Sequence, residues 1–207
     1  MPRTGRPREF DLDEALDAAL LVFWEHGYEA TSVGQLREAT GLSSGSIYGA
    51  FSSKQGLFEA VVERYATTFG QVTGPASCPD LAPREAVELT LRQSVLMQTD
   101  TAHPRGCLLV SSGAPARPED RQIRELLSER RSRDRRNLIA CVRRGIDLGE
   151  LPADLDAEAL GSAFHTFLVG ISTQALDGVQ PETLDTAVGY LMGLWDLLAE
   201  PQRSAEA

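Results

Sequence analysis

Between residues 31 and 54 the chain reads TSVGQLREATGLSSGSIYGAFSSK, an order of residues that few folds accommodate. Thr31 can cap a short helix through its hydroxyl, and Val33 and Leu36 give that helix one apolar side. Gly41 then supplies the permissive backbone a sharp turn needs before Leu42. Ser43 caps a second short helix, about 44–50, which buries Ile47 and leads to Phe51. Ser52 or Ser53 caps a further helix carrying Leu57, Phe58, Val61 and Tyr65. Two short helices joined by a glycine turn make a helix-turn-helix pattern, a unit that lays its second helix in the major groove of DNA.

The flanking text fits an all-α chain. Upstream, Asp11 and Glu14 have the spacing of a capping box, and Leu12, Leu16, Ala19 and Phe23 then follow helical periodicity to a stop near Gly27. Residues 1–8 form a basic arm without that periodicity, carrying Arg3, Arg6 and Arg8. Downstream, GQVTGPASCPDLAP at 70–83 holds three prolines and two glycines and predicts a break. The organisation expected is an arm (1–8), a helix-turn-helix domain (9–53), a connecting helix (54–70) and a larger helical domain (71–207). Within the last, helices are predicted over 84–99, over the apolar run 107–110, over 118–148, and over 156–176 and 182–199. Leu160, Phe164, Phe167, Leu168, Ile171 and Ala175 make one apolar stripe. Leu184, Val188, Leu191, Trp195 and Leu198 follow the alternating four-three spacing of a packing seam, which suits a helical interface.

Bulk properties narrow the class. The 207 residues are 42% hydrophobic and 24% charged, a globular soluble composition. Neither a signal peptide nor an apolar run of membrane-spanning length is visible, so a cytoplasmic protein without membrane contact is expected. Cys78, Cys107 and Cys141 form no CxxC pair and have no histidine at ligand spacing, which argues against a disulfide framework, a metal site or a metal cofactor. No nucleophile, phosphate-loop or metalloprotease motif is present, so an enzyme is not expected. The net charge of −10 is unusual for a DNA binder, and residues 1–64 hold six Lys or Arg against ten Asp or Glu. Positive surface for phosphates must therefore be local.

The segments ALDAALLVFWEHGYEATSV, ATGLSSGSIYGAF and SSKQGLFEAVVERY resemble the TetR family of bacterial transcriptional regulators, over about residues 9–65. GCLLV at 106–110 is similar to the ligand-domain text of one large subgroup. The resemblance implies a homodimer whose last two helices form the interface, here Leu160, Ile171, Leu184, Val188, Leu191, Trp195 and Leu198. It also implies a double-stranded operator as partner and a small-molecule effector that releases a repressor; an activator of the same architecture is the alternative.

Thr31, Ser43, Tyr48 and Lys54 match family positions that hold the DNA backbone, although capping also explains Thr31 and Ser43, and a core position explains Tyr48. Base reading falls to Ser44, Gly45, Ser46 and Gly49, small residues that form few bidentate hydrogen bonds, with Arg37 and Arg6 of the arm in support. The effector pocket is expected at Cys107, Phe164, Phe167 and Leu168. Cys107 is also a candidate redox or electrophile sensor, against which stands its apolar setting. Ten arginines from Arg117 to Arg144 against five acids read as a solvated face bridged to acidic neighbours.

Overall fold

Residues 9–112 and 120–200 are described by a computed structural model, and among them all regular structure is helical, as the patterning predicts. The helices are α1 (Glu9–Ala30), α2 (Val33–Thr40), α3 (Ser44–Phe51) and α4 (Lys54–Thr67), then α5 (Pro83–Thr99), α6 (Leu108–Ser111), α7 (Arg121–Asp147), α8 (Ala157–Leu176) and α9 (Pro181–Ala199). The proline-rich stretch after α4 is not irregular. It winds through 3₁₀ turns over Phe69–Ser77 with Pro75 inside. Its prolines and glycines exclude an α-helix while tolerating the tighter turn.

Two details of the N-terminal helices depart from expectation. Helix α1 begins by Glu9, so Asp11 lies inside it and is not its cap. At Gly27 it breaks (φ 75°, ψ 172°), the stop the sequence indicated. The cap of α2 is Ser32 and not Thr31. The Ser32 hydroxyl oxygen accepts from the Gln35 N–H (3.2 Å), and the Gln35 side chain accepts from the Ser32 N–H (2.8 Å), a reciprocal capping box. Thr31 is only 1% exposed and donates its hydroxyl back to the Gly27 carbonyl at 2.7 Å. Gly41 takes the left-handed conformation (φ 68°) that turns the chain into α3.

Burial of apolar surface is organised in two clusters. One joins Phe23 and Trp24 of α1 to Leu36, Ile47, Phe58 and Tyr65, with edge-to-face rings 5.0 Å apart in both the Phe23–Phe58 and Trp24–Tyr65 pairs. This cluster also takes Leu108 and Leu109 from α6, and Ile123 and Leu127 from α7. The other is built by α5, α7, α8 and α9. There α7 and α8 approach so closely that a Cβ on Gly161 would lie 2.6 Å from the Ile139 Cα. Ion pairs brace the packed helices: Arg64 grips Asp17 with two 2.7 Å bonds across α4 and α1, and Arg84 grips Asp196 at 2.6 and 2.8 Å across α5 and α9.

This packing places most of the residues expected at the dimer seam inside the protomer. Leu160, Ile171, Leu184, Val188 and Trp195 are buried inside the protomer's own second cluster, and Leu191 and Leu198 pack against it. The four-three spacing marks the inner side of α9, because a single apolar stripe cannot face both its own bundle and a partner. What α8 and α9 turn outward is a different set, Leu176, Tyr190, Leu194 and Leu197, of which Tyr190 is 80% exposed.

Candidate nucleic-acid interface and cavity

Ile47 is the residue that fixes α3, since it is buried on one side of an eight-residue helix whose other positions are largely open. The Ser43 hydroxyl caps the helix by accepting from the Ser46 N–H at 3.1 Å. Ser43, Gly45, Ser46, Tyr48 and Gly49 are exposed, Ser44 is half-buried, and Arg37 is exposed in the last turn of α2. Tyr48, at 42% exposure, is not a core residue. A Cβ at Gly49 would meet nothing within 4 Å, and at Gly45 only the Ser43 hydroxyl at 3.7 Å. Packing inside the protein therefore does not require glycine at either position.

Lys54 opens α4 and holds its ammonium 4.5 Å from the centre of the Tyr28 ring and 3.5 Å from the Glu29 carbonyl. Thr31 does not join this surface: its hydroxyl is buried and already bonded, which removes it as a phosphate contact. The exposed hydroxyl at that helix end belongs to Ser32, which the Ser-x-x-Gln spacing at 32–35 could have identified. Arg6 lies outside the described residues.

A cavity of about 540 Å³ lies between α4, the 3₁₀ segment, α5, α6, α7 and α8. Of the residues expected there, Cys107 and Leu168 line it. Phe164 and Phe167 do not. Phe164 is fully buried against Trp195, their ring centres 6.1 Å apart, and Phe167 packs on the same core. Tyr65, Gln98 and Asp134 line the cavity instead; periodicity marked Tyr65 only as part of a helix's apolar side, and no pattern marked the other two.

Cys107 is a free, half-buried cysteine on the cavity wall. Burial pushes its pKa up, and the Tyr65 hydroxyl, which donates to its sulfur at 3.3 Å, acts against that shift without reversing it. Burial of the sulfur opposes formation of a reactive thiolate, in spite of its place on the cavity wall. Cys141, deeper in the core, is pushed by burial up to about 11. Asp134 accepts a hydrogen bond from Thr73 at 3.0 Å, and burial raises its carboxyl above the usual range.

The arginine-rich run is mostly committed. Arg121 pairs with Glu125 (2.7 Å), Arg136 with Glu129 (2.6 Å) and Arg130 with Glu63, while Arg144 donates to the carbonyls of Cys78 and Leu81 (2.8 and 2.7 Å). Arg117 lies outside the described residues. Among the described residues no group of His, Cys, Asp and Glu could hold a metal ion, and no helix is long and apolar enough to cross a membrane.

The family model described as "Bacterial regulatory proteins, tetR family" matches residues 15–61, and the "Tetracyclin repressor-like, C-terminal domain" model matches residues 85–190. The chain is 32% identical over 199 residues to the HTH-type transcriptional repressor ComR of Escherichia coli K12, covering 95% of this chain and 94% of ComR. It is also similar to the solved structure of a cysteine-substituted CifR, a TetR family transcriptional regulator complexed with 26-base-pair operator DNA. That match has 38% identity and a TM-score of 0.86, and covers 92% of this chain and 100% of that one. A regulatory protein TetR from Rhodobacter sphaeroides matches at 25% identity and a TM-score of 0.72, over 89% of this chain and 98% of that one.

Proposed function

Because the chain belongs to the TetR family of bacterial transcriptional regulators, we propose that it acts in the cytoplasm as a homodimeric repressor that a small molecule releases from a palindromic operator. The observation that carries this reading is the course of α4. Its first residue, Lys54, stands beside α3, and Tyr65, near its end, lines the cavity. One rigid element therefore touches both candidate sites, and a ligand that fits one conformer of the cavity better than another biases the setting of α3. A coupling of roughly 1–3 kcal/mol, about 5- to 150-fold in operator affinity, is the usual size of such linkage.

In this reading residues 9–53 dock on DNA. Ser43, Tyr48, Lys54 and the exposed Ser32 hold phosphates, Ser44, Gly45, Ser46 and Gly49 lie along the base edges, and Arg37 and Arg6 reinforce them. Residues 71–207 form the effector and dimerisation domain. Leu176, Tyr190, Leu194 and Leu197 meet their counterparts in a second copy, setting two α3 helices about 34–36 Å apart. The raised pKa of the half-buried Cys107, which disfavours a thiolate, supports a small-molecule effector over a redox sensor.

The test is fluorescence anisotropy on labelled duplexes tiled across the gene's own upstream region. Binding confined to a palindromic segment, weakening steeply with salt, is the expected result. Failure to bind any duplex better than random DNA would overturn the reading.

A further inference from the structure

Building on the reading of the cavity as the effector site, we infer the class of molecule it takes: a compact, uncharged compound with an apolar body that donates a hydrogen bond to the Gln98 side chain. Gln98 lines the cavity at 3% exposure, and its Oε1 has no hydrogen-bond partner. Buried amide oxygens are seldom left in that state, so a donor from outside the chain is the missing partner.

Three neighbouring hydroxyls have already committed their protons. Ser94 gives its hydroxyl proton to the Thr90 carbonyl at 2.7 Å, Thr73 gives its own to Asp134 at 3.0 Å, and Tyr65 donates to Cys107. Each of these hydroxyl oxygens thus retains only lone pairs for a ligand.

Charge on the wall disfavours ions of either sign. Arg130 is paired with Glu63, and Arg131 donates to the Leu109 carbonyl, so two of the cavity's three guanidiniums are engaged and the third, Arg133, is exposed to water. An anion would find Arg130 already paired with Glu63 and Arg131 turned to a backbone carbonyl, with only the water-exposed Arg133 uncommitted. A cation would meet three arginines and a carboxyl that burial drives toward its neutral form. The apolar body has its own surface in Met97, Leu109, Val110 and Leu168, and the volume of about 540 Å³ is that of a small-molecule site.

Four probes sharing one ring system isolate the polar group: 2-naphthalenemethanol, 2-naphthoate, 2-(aminomethyl)naphthalene and 2-methylnaphthalene. Each is titrated calorimetrically into the full-length protein and into Gln98→Leu and Gln98→Met. Operator release is followed in parallel by anisotropy. The alcohol is expected to bind wild type most tightly of the four. Both variants should lose about tenfold or more of that affinity while holding the hydrocarbon at least as well. Because a buried unpartnered amide is removed, both should fold, and Gln98→Met serves if Gln98→Leu does not.

Tighter binding of the carboxylate or amine, or an unchanged ranking in the variants, overturns the inferred class and leaves the effector reading intact. The expected ranking without operator release sustains the class and removes the effector reading. Binding of no probe to wild type overturns both.

Discussion

At the scale of single residues, the clearest evidence comes from a side chain that is absent. Gly49 sits mid-helix, exposed, with open space where a Cβ would go. Gly49→Ala should therefore stabilise the protein by about 0.5–1 kcal/mol through helix propensity alone, read as a higher urea midpoint. Gly49→Leu should be equally well folded yet bind the operator at least about tenfold more weakly, because in the proposed docking its side chain would stand between α3 and the groove. Unchanged anisotropy for the leucine variant would separate α3 from docking.

Asp134 makes a second prediction at this scale. Its folded pKa is raised by burial, so the stability attached to its neutral form is complete below the unfolded value near 3.8 and is lost as pH rises through the folded one. Asp134→Asn should then melt higher than wild type at pH 7, and the gap should close as pH falls toward 4. A gap independent of pH would show that the carboxyl's ionisation is not what the fold resists. Neither residue is equally legible in the sequence. The open face around Gly49 follows from the spacing of Ile47 and the cap at Ser43, whereas Asp134 stands in a run of arginines that reads as solvent-facing throughout.

For whole elements, the local signals that hold in the structure are those in which chain neighbours meet. The caps at Ser43 and Ser53, the turn at Gly41 and the break at Gly27 depend on atoms within four residues of one another, and all are present. The cap of α2 moved by one position because Thr31 and Ser32 can both serve, and only the three-dimensional turn at Gly27 offers Thr31 another acceptor. The residues expected at the dimer seam turn out to pack mostly within the protomer, for a deeper reason. Periodicity reports that one side of α9 is covered, and it is silent on whether the cover is α5 or another molecule.

Gly161 shows the same limit, since nothing in its sequence surroundings reveals that the backbone of α7 crosses there. Gly161→Ala should cost about 1–3 kcal/mol by forcing α7 and α8 apart, in spite of alanine's better helix propensity. The opposite responses to alanine at Gly49 and Gly161, in one series of urea titrations, check both assignments. A stabilised Gly161→Ala would mean that the α7–α8 approach is looser than described.

Over the whole molecule, the outward row of α8 and α9 carries the prediction about assembly. Tyr190 and Leu197 are 80% and 66% exposed, large side chains with no role in the protomer's own packing. Replacing both with aspartate should leave the helical content intact and convert the dimer to monomer in sedimentation velocity. Operator binding should fall by at least about a hundredfold as the second half-site contact is lost. A dimer that survives the double substitution would place the interface elsewhere. The sequence identified α8 and α9 as the paired terminal helices but not which side of them is free, because the free side carries small and mixed residues between its few large ones.

The path of the first hydrophobic cluster bears on how such regulators can be recombined. In chain order the DNA-facing unit ends before the proline-rich stretch, but Leu108, Leu109, Ile123 and Leu127 close its core from the far side of that stretch. A graft of residues 1–70 onto a foreign effector domain removes four large side chains from the cluster that holds Trp24 and Phe58. At about 2–5 kcal/mol for each missing side chain, the deficit approaches or exceeds the roughly 5–15 kcal/mol by which domains are stable. The heritable module is therefore discontinuous: a new sensor can be exchanged beneath this DNA-facing unit only if α6 and the opening turns of α7 travel with it.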